Sequence, residues 1–447
     1  MLKFDEHFKF GEYFTNCSKF LCQYKWIFEH SNTKFVQAGI LDQLPKSWIR
    51  DLKSATTKEL NLIPSGYVNE NWSSDFKLFL STVASLVVSY DEVDYSTAKQ
   101  PLLKGLSPKK QYEIENLTVV IEEMCCESEI LLDFGSGLGY LSQNLHLKKK
   151  FTVLGIDGDS FRVGASQKRQ SKLFTNSTDN VKFVHHFIDE NSFEYLNATV
   201  SLLFPQQSDT KFMIVGLHAC ADLSPTAIKM FLSNESITKI AIMPCCYHKL
   251  RVSGDSCNIF ENIPLSNQLR RSLEKDKNFL CRPFLRLGCQ QTSARWKLLT
   301  QDQHDSHGKA MFERSLVEAV LDEGQFVTAK KIRSTQFTEN AYTNYYLRHN
   351  SNPTSNCPWT DHHIKRYNEL LTQNPAGAQF AEYLTCLQTC LQPLCENIIL
   401  LDRLCYIHEE ASKQHILMRI SMVKLSDDKL SPRCFIIKAE KEYDSKS

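Results

Sequence analysis

Residues 130–141 decide the fold, and they read Ile-Leu-Leu-Asp-Phe-Gly-Ser-Gly-Leu-Gly-Tyr-Leu. The apolar start predicts a buried strand, and a loop with glycine at every second position follows it. Leu138, Leu141 and Leu145 then recur at the spacing of a helix. Glycines let the backbone turn sharply and approach a ligand, and a helix N-terminus presents free N–H groups. The stretch therefore predicts a strand, a turn and a helix that together cradle a nucleotide-like ligand.

The acidic residue in this stretch, Asp133, distinguishes a dinucleotide-binding site from a site for a ligand with an ammonium group. A dinucleotide fingerprint has the spacing G-x-G-x-x-G, but here Tyr140 stands where its third glycine belongs. The carboxylate of Asp133 would repel a pyrophosphate and would suit an ammonium group. The pattern D-x-G-x-G-x-G resembles motif I of S-adenosylmethionine-dependent methyltransferases with a Rossmann-like fold. The resemblance implies that this cofactor is bound by Asp133, Gly135, Ser136, Gly137 and Gly139.

A second acid supports the same interpretation. The apolar run 152–157 ends in Asp157, about twenty residues after the glycine loop, where a ribose-binding carboxylate is expected. The alternative is a surface turn in which Asp157 caps the next helix.

A helix predicted to begin after Ser107 adds two cations. Ser107 is a suitable N-cap with Pro108 at the first helical position. Lys109 and Lys110 then fall in the first turn, where the helix dipole disfavours positive charge. This placement predicts an anionic partner, either the cofactor carboxylate or a phosphate. The alternative is a pair of solvated lysines.

Composition limits the class of protein. The 447 residues are 42% hydrophobic and 23% charged, which predicts a globular chain of two to three units. The net charge of +1 gives no support for a large basic surface. No apolar run reaches the ~18 residues that a membrane span needs, and the start of the chain does not resemble a signal peptide. Sixteen cysteines without a C-x-x-C pair indicate a reducing compartment, so we expect a cytoplasmic or nuclear protein without a membrane segment.

The alternation of strands and helices predicts an α/β fold, a Rossmann-like class I methyltransferase sheet. We expect an N-terminal helical module at 1–95, the cofactor-binding core at 96–250 and a mostly helical insertion at 251–395. The core sheet is then completed by residues 396–447. A loop-side insertion is a natural place for substrate recognition.

Chemically reactive side chains follow two predicted strands. His218 and Asp222 come after the fourth strand, and the run Pro-Cys-Cys-Tyr-His at 244–248 comes after the fifth. Ligands of open parallel sheets bind at the carboxyl ends of the strands, so we expect one site. His218 is suited to remove a proton from a methyl acceptor, and Asp222 to orient it or to hold the acceptor. The alternative is that both residues cap the next helix.

The second cluster leaves four interpretations open. Cys245, Cys246, Tyr247 and His248 could position the acceptor, or a cysteine could attack a pyrimidine with help from His248. They could bind a metal together with His218 and Cys220, or they could simply be a packed strand end. We favour acceptor positioning and expect no metal, because adjacent cysteines have poor chelate spacing compared with C-x₂-C.

The motifs together resemble one family. Ser-Pro-Lys-Lys at 107, the glycine loop, Gly-Leu-His-Ala-Cys-Ala-Asp at 216 and Pro-Cys-Cys-Tyr-His at 244 are similar to the methyltransferase-like 25 family. That group is also called ribosomal RNA adenine dimethylase domain-containing. Leu-Asp-Arg-Leu at 401 and Ser-Pro-Arg at 431 fit the same pattern. One departure is Ala221, where the family usually has glycine.

The resemblance implies an S-adenosylmethionine-dependent methyltransferase. The H-x-C-x-D and C-C-x-H pair is also similar to tRNA ribose 2′-O-methyltransferases, which favours an RNA acceptor, methylated on ribose or base. Methylation of base amino groups typically uses N/D-P-P-Y/F after the fourth strand, and this chain has His-Ala-Cys-Ala there. A protein acceptor and a non-catalytic cofactor-binding scaffold are the alternatives.

Overall fold

The computed structural model describes residues 2–95, 105–126, 128–207, 211–254, 258–276, 278–290, 292–330 and 340–442. These residues form two compact units. Unit 1 consists of residues 1–19, 86–290 and 394–447, and unit 2 of residues 20–85 and 291–393. Residues from the predicted N-terminal module and from the predicted insertion therefore build unit 2 together. The predicted border at 95/96 lies at the edge of the described residues.

Thirteen strands are found among the described residues. In chain order they are β1 (Leu2–Lys3), β2 (Val88–Ser89), β3 (Asp91–Val93), β4 (Ile130–Phe134), β5 (Thr152–Asp157), β6 (Val181–His185), β7 (Phe212–Cys220), β8 (Ile237–Cys245), β9 (Gln325–Ala329), β10 (Tyr345–His349), β11 (Asn352–Cys357), β12 (Met418–Leu425) and β13 (Phe435–Lys441).

Fifteen α-helices are found in the same part of the chain. They are α1 (Phe10–Gln23), α2 (Lys46–Ser54), α3 (Thr57–Leu62), α4 (Ser74–Leu86), α5 (Pro108–Met124), α6 (Tyr140–Lys149), α7 (Ser160–Leu173), α8 (Phe193–Leu203), α9 (Leu223–Ser233), α10 (Asn267–Ser272), α11 (Arg282–Gly288), α12 (Ser293–Trp296), α13 (Gln301–Ala319), α14 (Asp361–Gln373) and α15 (Gly377–Lys413).

An eight-stranded sheet forms the centre of unit 1. Its order is β3-β12-β13-β8-β7-β4-β5-β6, and the five strands from β8 to β6 are parallel. β13 runs antiparallel to both of its neighbours, β8 and β12. The chain moves outward from β4 through β5 to β6 and outward on the other side from β7 to β8. The strand order therefore reverses between β4 and β7, and ligands of open α/β sheets bind at such a switch point. The predicted α/β, Rossmann-like fold class is confirmed.

Burial explains why these strands read as apolar runs. Every residue of β4, β5 and β8 is buried, as expected for parallel strands covered by helices on both faces. Helices α5 and α6 contribute Leu117, Ile121, Leu141 and Leu145 to a core cluster with the strand residue Val153. This packing fixes the turn between β4 and α6 at the edge of the sheet where β4 ends.

The region after residue 250 differs from the mostly helical insertion that was predicted. It also contains a three-stranded antiparallel sheet, β11-β10-β9, in which the polar residues near Asn352 form the hairpin between β10 and β11. Helix α15 continues through Pro393 and crosses the predicted border at 395/396 without a break.

Helix α15 is long and apolar enough to cross a membrane by length and composition alone. Its most apolar window has a mean hydropathy of 1.2, and 89% of that window is buried inside the protein. A buried core helix passes the same test, so this feature is weak evidence for a membrane span.

Unit 2 has a polar network inside its helices. His304 of α13 is buried, and its Nδ1 lies 2.5 Å from Glu382 Oε1 while its Nε2 lies 2.6 Å from Asn61 Oδ1. The second oxygen of Glu382 lies 2.6 Å from His307 Nδ1. Because both imidazoles face one carboxylate, the pKa of Glu382 is lowered despite the opposing effect of burial.

Candidate functional site

A cavity of about 750 Å³ opens in unit 1 at the carboxyl ends of the parallel strands. The turn after β4 and the end of β5 form one side of it, and the ends of β7 and β8 form the other. Residues from seven separate stretches of sequence line it. The lining includes Lys109, Lys110, Asp133, Gly135, Ser136, Gly137, Asp157, Arg162, His186, Phe187, His218, Cys220, Asp222, Cys245, Cys246, Arg251 and Arg433.

The glycine turn has the geometry expected of a cradle. Gly135 and Gly137 have φ values of +74° and +57°, a region that favours glycine. The backbone N–H groups of Gly135 and Ser136 both donate to the carbonyl of Ile156 at the end of β5. A side chain at Gly137 would meet no atom closer than 4.0 Å, so this glycine faces open space. The turn is therefore held by β5 and leaves room for a ligand beside Gly137.

Gly139 does not face the cavity, contrary to its predicted role in binding the cofactor. A Cβ atom at this position would lie 2.4 Å from the ring of Phe183 in β6, so Gly139 faces a neighbouring strand. It lies outside the lining of the cavity. Its φ of +72° and its close approach to Phe183 make it a packing residue of the turn.

Asp133 lies at the bottom of the cradle. It is buried, and the hydroxyl of Ser142 donates to its Oδ2 over 2.5 Å. The pKa of Asp133 is raised to about 7, chiefly by burial and in smaller part by the negative charge of Asp157, while the hydrogen bond from Ser142 opposes both. A cationic ligand placed beside this carboxyl would stabilise its charged form.

Asp157 closes the cradle from β5. Its Oδ2 accepts from the N–H of Gly137 over 2.9 Å, and its Oδ1 accepts from the N–H of Asp159 over 2.9 Å. The carboxylate thus lies against the glycine turn and lines the cavity. The alternative of a helix cap applies to its neighbour, because Asp159 accepts from the N–H groups of Phe161 and Arg162 at the start of α7.

The predicted N-terminus of α5 is confirmed. Ser107 is the N-cap, its side chain accepts from the N–H of Lys110, and Pro108 is the first helical residue. Both lysines line the cavity. Lys109 Nζ lies 3.7 Å from Glu113 Oε1, and Lys110 Nζ lies 5.4 Å from the centre of the Tyr140 ring. Lys109 is therefore paired with an acid as well as available to an anion.

A carboxylate absent from the sequence predictions pairs with His218. Glu113 Oε2 lies 3.3 Å from His218 Nε2, and Glu113 Oε1 accepts from the hydroxyl of Ser431 over 2.6 Å. The Glu113 side chain is 1% exposed and that of His218 is 33% exposed. Burial raises the pKa of Glu113, but His218, Ser431 and Lys109 outweigh it, so the pKa is lowered overall. Glu113 is therefore charged beside the imidazole.

Asp222 forms its hydrogen bonds with residues of the segment after β8 and not with His218. Its Oδ1 accepts from the side chain of Asn262 over 2.8 Å, and its Oδ2 accepts from the N–H of Arg251 over 3.1 Å. It lines the cavity, but these contacts tie it to the segment after β8. Glu113, and not Asp222, is the carboxylate that lies beside His218 in the structure.

Three cysteines converge on the opposite side of the cavity. Cys220 and Cys245 are paired in register at the ends of β7 and β8, and their Sγ atoms are 2.9 Å apart. With Cys246, the three Sγ atoms all lie within 4.8 Å of one another. Hydrogen bonds from Cys220 and Cys245 lower the pKa of the Cys246 thiol, and the pKa of Cys245 is raised in turn.

Tyr247 and His248 lie outside the cavity, contrary to their predicted acceptor roles. Tyr247 is fully buried, and its hydroxyl donates to Glu396 Oε1 over 3.1 Å. His248 Nδ1 lies 3.5 Å from Cys289 Sγ. Burial, followed by the charge of Arg286, lowers the pKa of His248. Both side chains turn away because the chain forms a short helical turn at 247–249 directly after Cys246.

Three residues at or behind the cavity have no role in the sequence predictions, namely Glu113, Arg251 and Arg433, and Cys220 is considered there only as a possible metal ligand. Glu113 is four residues after Lys109 on α5, a spacing that could have indicated the pair. Cys220 and Cys245 each end a strand, which could have indicated that the strands bring them together. Arg433 donates to the carbonyls of Gly288 and Gln290, and no local pattern indicates this contact.

The sequence profile of a family described as a methyltransferase domain matches residues 109–253. The matched stretch runs from the lysines of α5 to the segment after β8, and it contains the glycine turn, Asp157, His218 and all three clustered cysteines. Residues 109–253 are therefore similar to a methyltransferase domain. The matched stretch covers the strands from β4 to β8, which provide most of the cavity.

Two curated proteins are similar to about half of the chain. The probable methyltransferase-like protein 25 of Homo sapiens is 27% identical over 248 residues, 52% of this chain and 37% of that protein. Its counterpart from Mus musculus is 25% identical over 253 residues, with the same coverage. The match thus spans little more than a third of the length of these relatives. The predicted resemblance to the methyltransferase-like 25 family is confirmed.

Solved structures include methyltransferases among the matches. A SAM-dependent methyltransferase from Aquifex aeolicus is 17% identical over 38% of this chain and 82% of its own, with a TM-score of 0.22. A coclaurine N-methyltransferase bound to N-methylheliamine and SAH is 11% identical over 82% of this chain and 95% of its own, with a TM-score of 0.25. TM-scores this low carry no argument, so the fold rests on the strand order described above.

The residues of the matched stretch fit S-adenosylmethionine, the cofactor of methyltransferase domains of this class. The open space at Gly137 accommodates a ligand, and the carboxyls of Asp133 and Asp157 suit an ammonium group and a ribose. The hydroxyl of Ser136 is buried without a hydrogen-bond partner among the described residues, so a ligand could supply one. The turn after β4 is therefore a cofactor cradle by its chemistry as well as by its shape.

Proposed function

We propose that this protein is an S-adenosylmethionine-dependent methyltransferase whose acceptor is RNA. The observation that carries the proposal is one cavity with a glycine cradle on one side and the Glu113–His218 pair on the other. The bound cofactor supplies an electrophilic methyl group on a sulfonium. The protein must then hold the acceptor in line with that group and remove a proton from the acceptor atom.

His218 is the residue suited to take that proton. His218 Nε2 lies 3.3 Å from Glu113 Oε2, so a proton carried on Nε2 would leave Nδ1 as the proton acceptor of the ring. Glu113 is placed to orient the imidazole and to stabilise the imidazolium that forms when the proton is taken. Ser431 and Lys109 both contact Oε1 of Glu113, which leaves Oε2 facing the imidazole. The mechanism needs no covalent intermediate with the protein.

Cations and exposed aromatic rings around the cavity support an RNA acceptor. Lys109, Lys110 and Arg251 line the cavity and can contact phosphates. Phe187, also in the lining, is 73% exposed, and Phe161 near the start of α7 is 83% exposed. Exposed rings beside basic side chains are the means by which proteins stack unpaired bases.

The experiment is a transfer assay with methyl-labelled S-adenosylmethionine and two acceptor pools, total RNA and total protein from a cell extract. Label in RNA supports the proposal, and label found in dinucleotides that resist alkaline hydrolysis identifies ribose methylation, whereas label in mononucleotides identifies base methylation. Label only in protein would replace the RNA acceptor by a protein. Cofactor binding without label in either pool would favour a non-catalytic scaffold.

The variant His218→Asn tests the role of the imidazole. We expect the rate of transfer to fall about 10²- to 10⁴-fold, because a general base is lost, with unchanged affinity for S-adenosylhomocysteine. The matched control is His186→Asn, whose imidazole also lines the cavity and contacts Ser192 instead of Glu113. Equal losses in both variants would contradict the assignment of His218.

A further inference from the structure

The three clustered cysteines have a spacing that suits a metal ion. The Sγ atoms of Cys220, Cys245 and Cys246 all lie within 4.8 Å of one another. Thiolates bound to one tetrahedral zinc at about 2.3 Å lie roughly 3.8 Å apart, so small side-chain rotations would bring all three into position. The poor chelate spacing of the adjacent pair is overcome because β7 supplies the third thiol from the next strand.

The backbone at this place is arranged to bring the thiols together. Successive side chains of a strand point to opposite faces, so Cys246 would normally point away from Cys245. Cys246 instead has a φ of +55°, and Ala221, directly after Cys220, has a φ of +49°. Left-handed conformations of residues other than glycine cost about 1–3 kcal/mol each and persist mainly at functional sites. The two paired strands thus both enter this conformation immediately after a clustered cysteine.

The number and exposure of the thiols define the kind of site. Structural zinc sites have four protein ligands, whereas sites with three protein ligands keep a fourth position open. All three cysteines line the cavity, so an ion held by them would face it. The next candidate ligand, His248, has its Nδ1 3.5 Å from Cys289 Sγ and lies outside the cavity lining.

We propose that Cys220, Cys245 and Cys246 bind one zinc ion whose fourth coordination position is open to the cavity. Soft thiolate ligands select zinc over magnesium or calcium, which prefer oxygen. Binding forms three zinc–sulfur bonds and releases the thiol protons to solvent, with no change in oxidation state. The proposal does not depend on methyl transfer or on the identity of the acceptor.

Metal analysis of the full chain tests the proposal directly. The protein is purified under reducing conditions without a metal-affinity step, and zinc per chain is measured by mass spectrometry of the elements. We expect about one zinc per chain in the wild type and at least a tenfold lower zinc content in Cys245→Ser and Cys246→Ser. The control is Cys289→Ser, which changes a neighbouring thiol outside the proposed ligand set and should keep its zinc.

A second measurement needs no variant to fold. Chelator-treated wild-type protein is titrated with Co²⁺, and the charge-transfer absorption from thiolate to cobalt is followed. Saturation at one ion per chain, reversed by zinc, supports the site. The proposal is overturned if neither ion binds in molar excess, if Cys289→Ser loses zinc as strongly as the other variants, or if the cysteines form a disulfide instead.

Discussion

The backbone of Ala221 is strained. Its φ of +49° lies in the region that favours glycine, the residue that the resemblance to the methyltransferase-like 25 family implies at this position. The methyl group of Ala221 therefore strains the loop after β7. The cost is borne by the folded state and leaves the contacts of Asp222 with Asn262 and Arg251 in place.

Ala221→Gly should stabilise the protein. Relief of the left-handed strain exceeds the entropy that glycine adds to the unfolded chain, so we expect the free energy of unfolding to rise by about 0.5–1 kcal/mol. Urea denaturation measures the change. The matched control is Ala227→Gly in the interior of α9, which should lower the same quantity by about 1 kcal/mol or more. A loss of stability in Ala221→Gly would contradict the strain.

The carboxyl of Asp133 makes cofactor binding depend on pH. Because its pKa is raised from 3.8 to about 7, the side chain is neutral in the unliganded protein below pH 7 and charged above it. An ammonium group binds the charged form, so affinity should rise with pH and level off above pH 7. We expect S-adenosylhomocysteine to bind about tenfold more weakly at pH 6 than at pH 8, measured by calorimetric titration. Asp133→Asn should remove this dependence.

The raised pKa of Asp133 also makes the stability of the folded protein depend on pH. The raised pKa of Asp133 means that the folded protein keeps the proton more tightly than the unfolded chain does. The associated stability is fully present below about pH 4 and is lost as the pH rises through about 7. Asp133→Asn should therefore be more stable than the wild type at pH 8 and equal to it at pH 4. If Asp133→Asn and the wild type are equally stable at pH 4 and also at pH 8, the pKa of Asp133 is not raised.

At the scale of elements, the turn between β4 and α6 contains one glycine that faces the cavity and another that packs against a neighbouring strand. Gly137 faces open space, whereas a side chain at Gly139 would meet the ring of Phe183 at 2.4 Å. Both residues have a positive φ, so the backbone cost of a methyl group is similar at the two positions. The difference between the variants then reports on what each glycine faces.

Gly137→Ala should weaken S-adenosylhomocysteine binding at least tenfold with a loss of about 1 kcal/mol in stability. Gly139→Ala should lose about 2–4 kcal/mol, because overpacking against Phe183 adds to the backbone strain. Calorimetric titration and urea denaturation measure the two effects. The assignment is wrong if Gly139→Ala keeps wild-type stability or if Gly137→Ala keeps wild-type affinity.

The elements also show what could be predicted from sequence. The β4 turn and the N-cap of α5 were predictable because each depends on residues adjacent in the chain. The pairing of Glu113 with His218 was not, because α5 and β7 meet only in the folded sheet. Tyr247 resembled a site residue in the sequence, yet a helical turn of three residues directs it to Glu396. The sequence therefore predicts the chemistry of neighbouring residues, but it does not predict the direction in which a side chain points.

At the scale of the whole molecule, unit 1 depends on a strand from the far end of the described sequence. β13 lies between β8 and β12, and its residues Ile436 and Ile437 are fully buried. A chain ending at Cys434 lacks β13, so we expect unit 1 not to fold and S-adenosylhomocysteine binding to be lost. Circular dichroism and calorimetric titration measure this.

The matched control is a chain ending at Glu442, which keeps every strand of the sheet and the contact of Glu442 with Arg419. We expect it to bind S-adenosylhomocysteine as the full chain does. Wild-type binding by the chain that ends at Cys434 would show that the sheet is complete without β13.

The position of β13 also matters while the protein is being made on a ribosome. β8 is synthesised long before its partner, because residues 246–434 separate the two strands. At about 5–20 residues per second, translating that stretch takes roughly 10–40 s. Throughout that interval the fully buried strand β8 has one edge without its partner, and such an edge invites aggregation. Soluble yield should therefore improve when a chaperone that shields nascent chains is co-expressed.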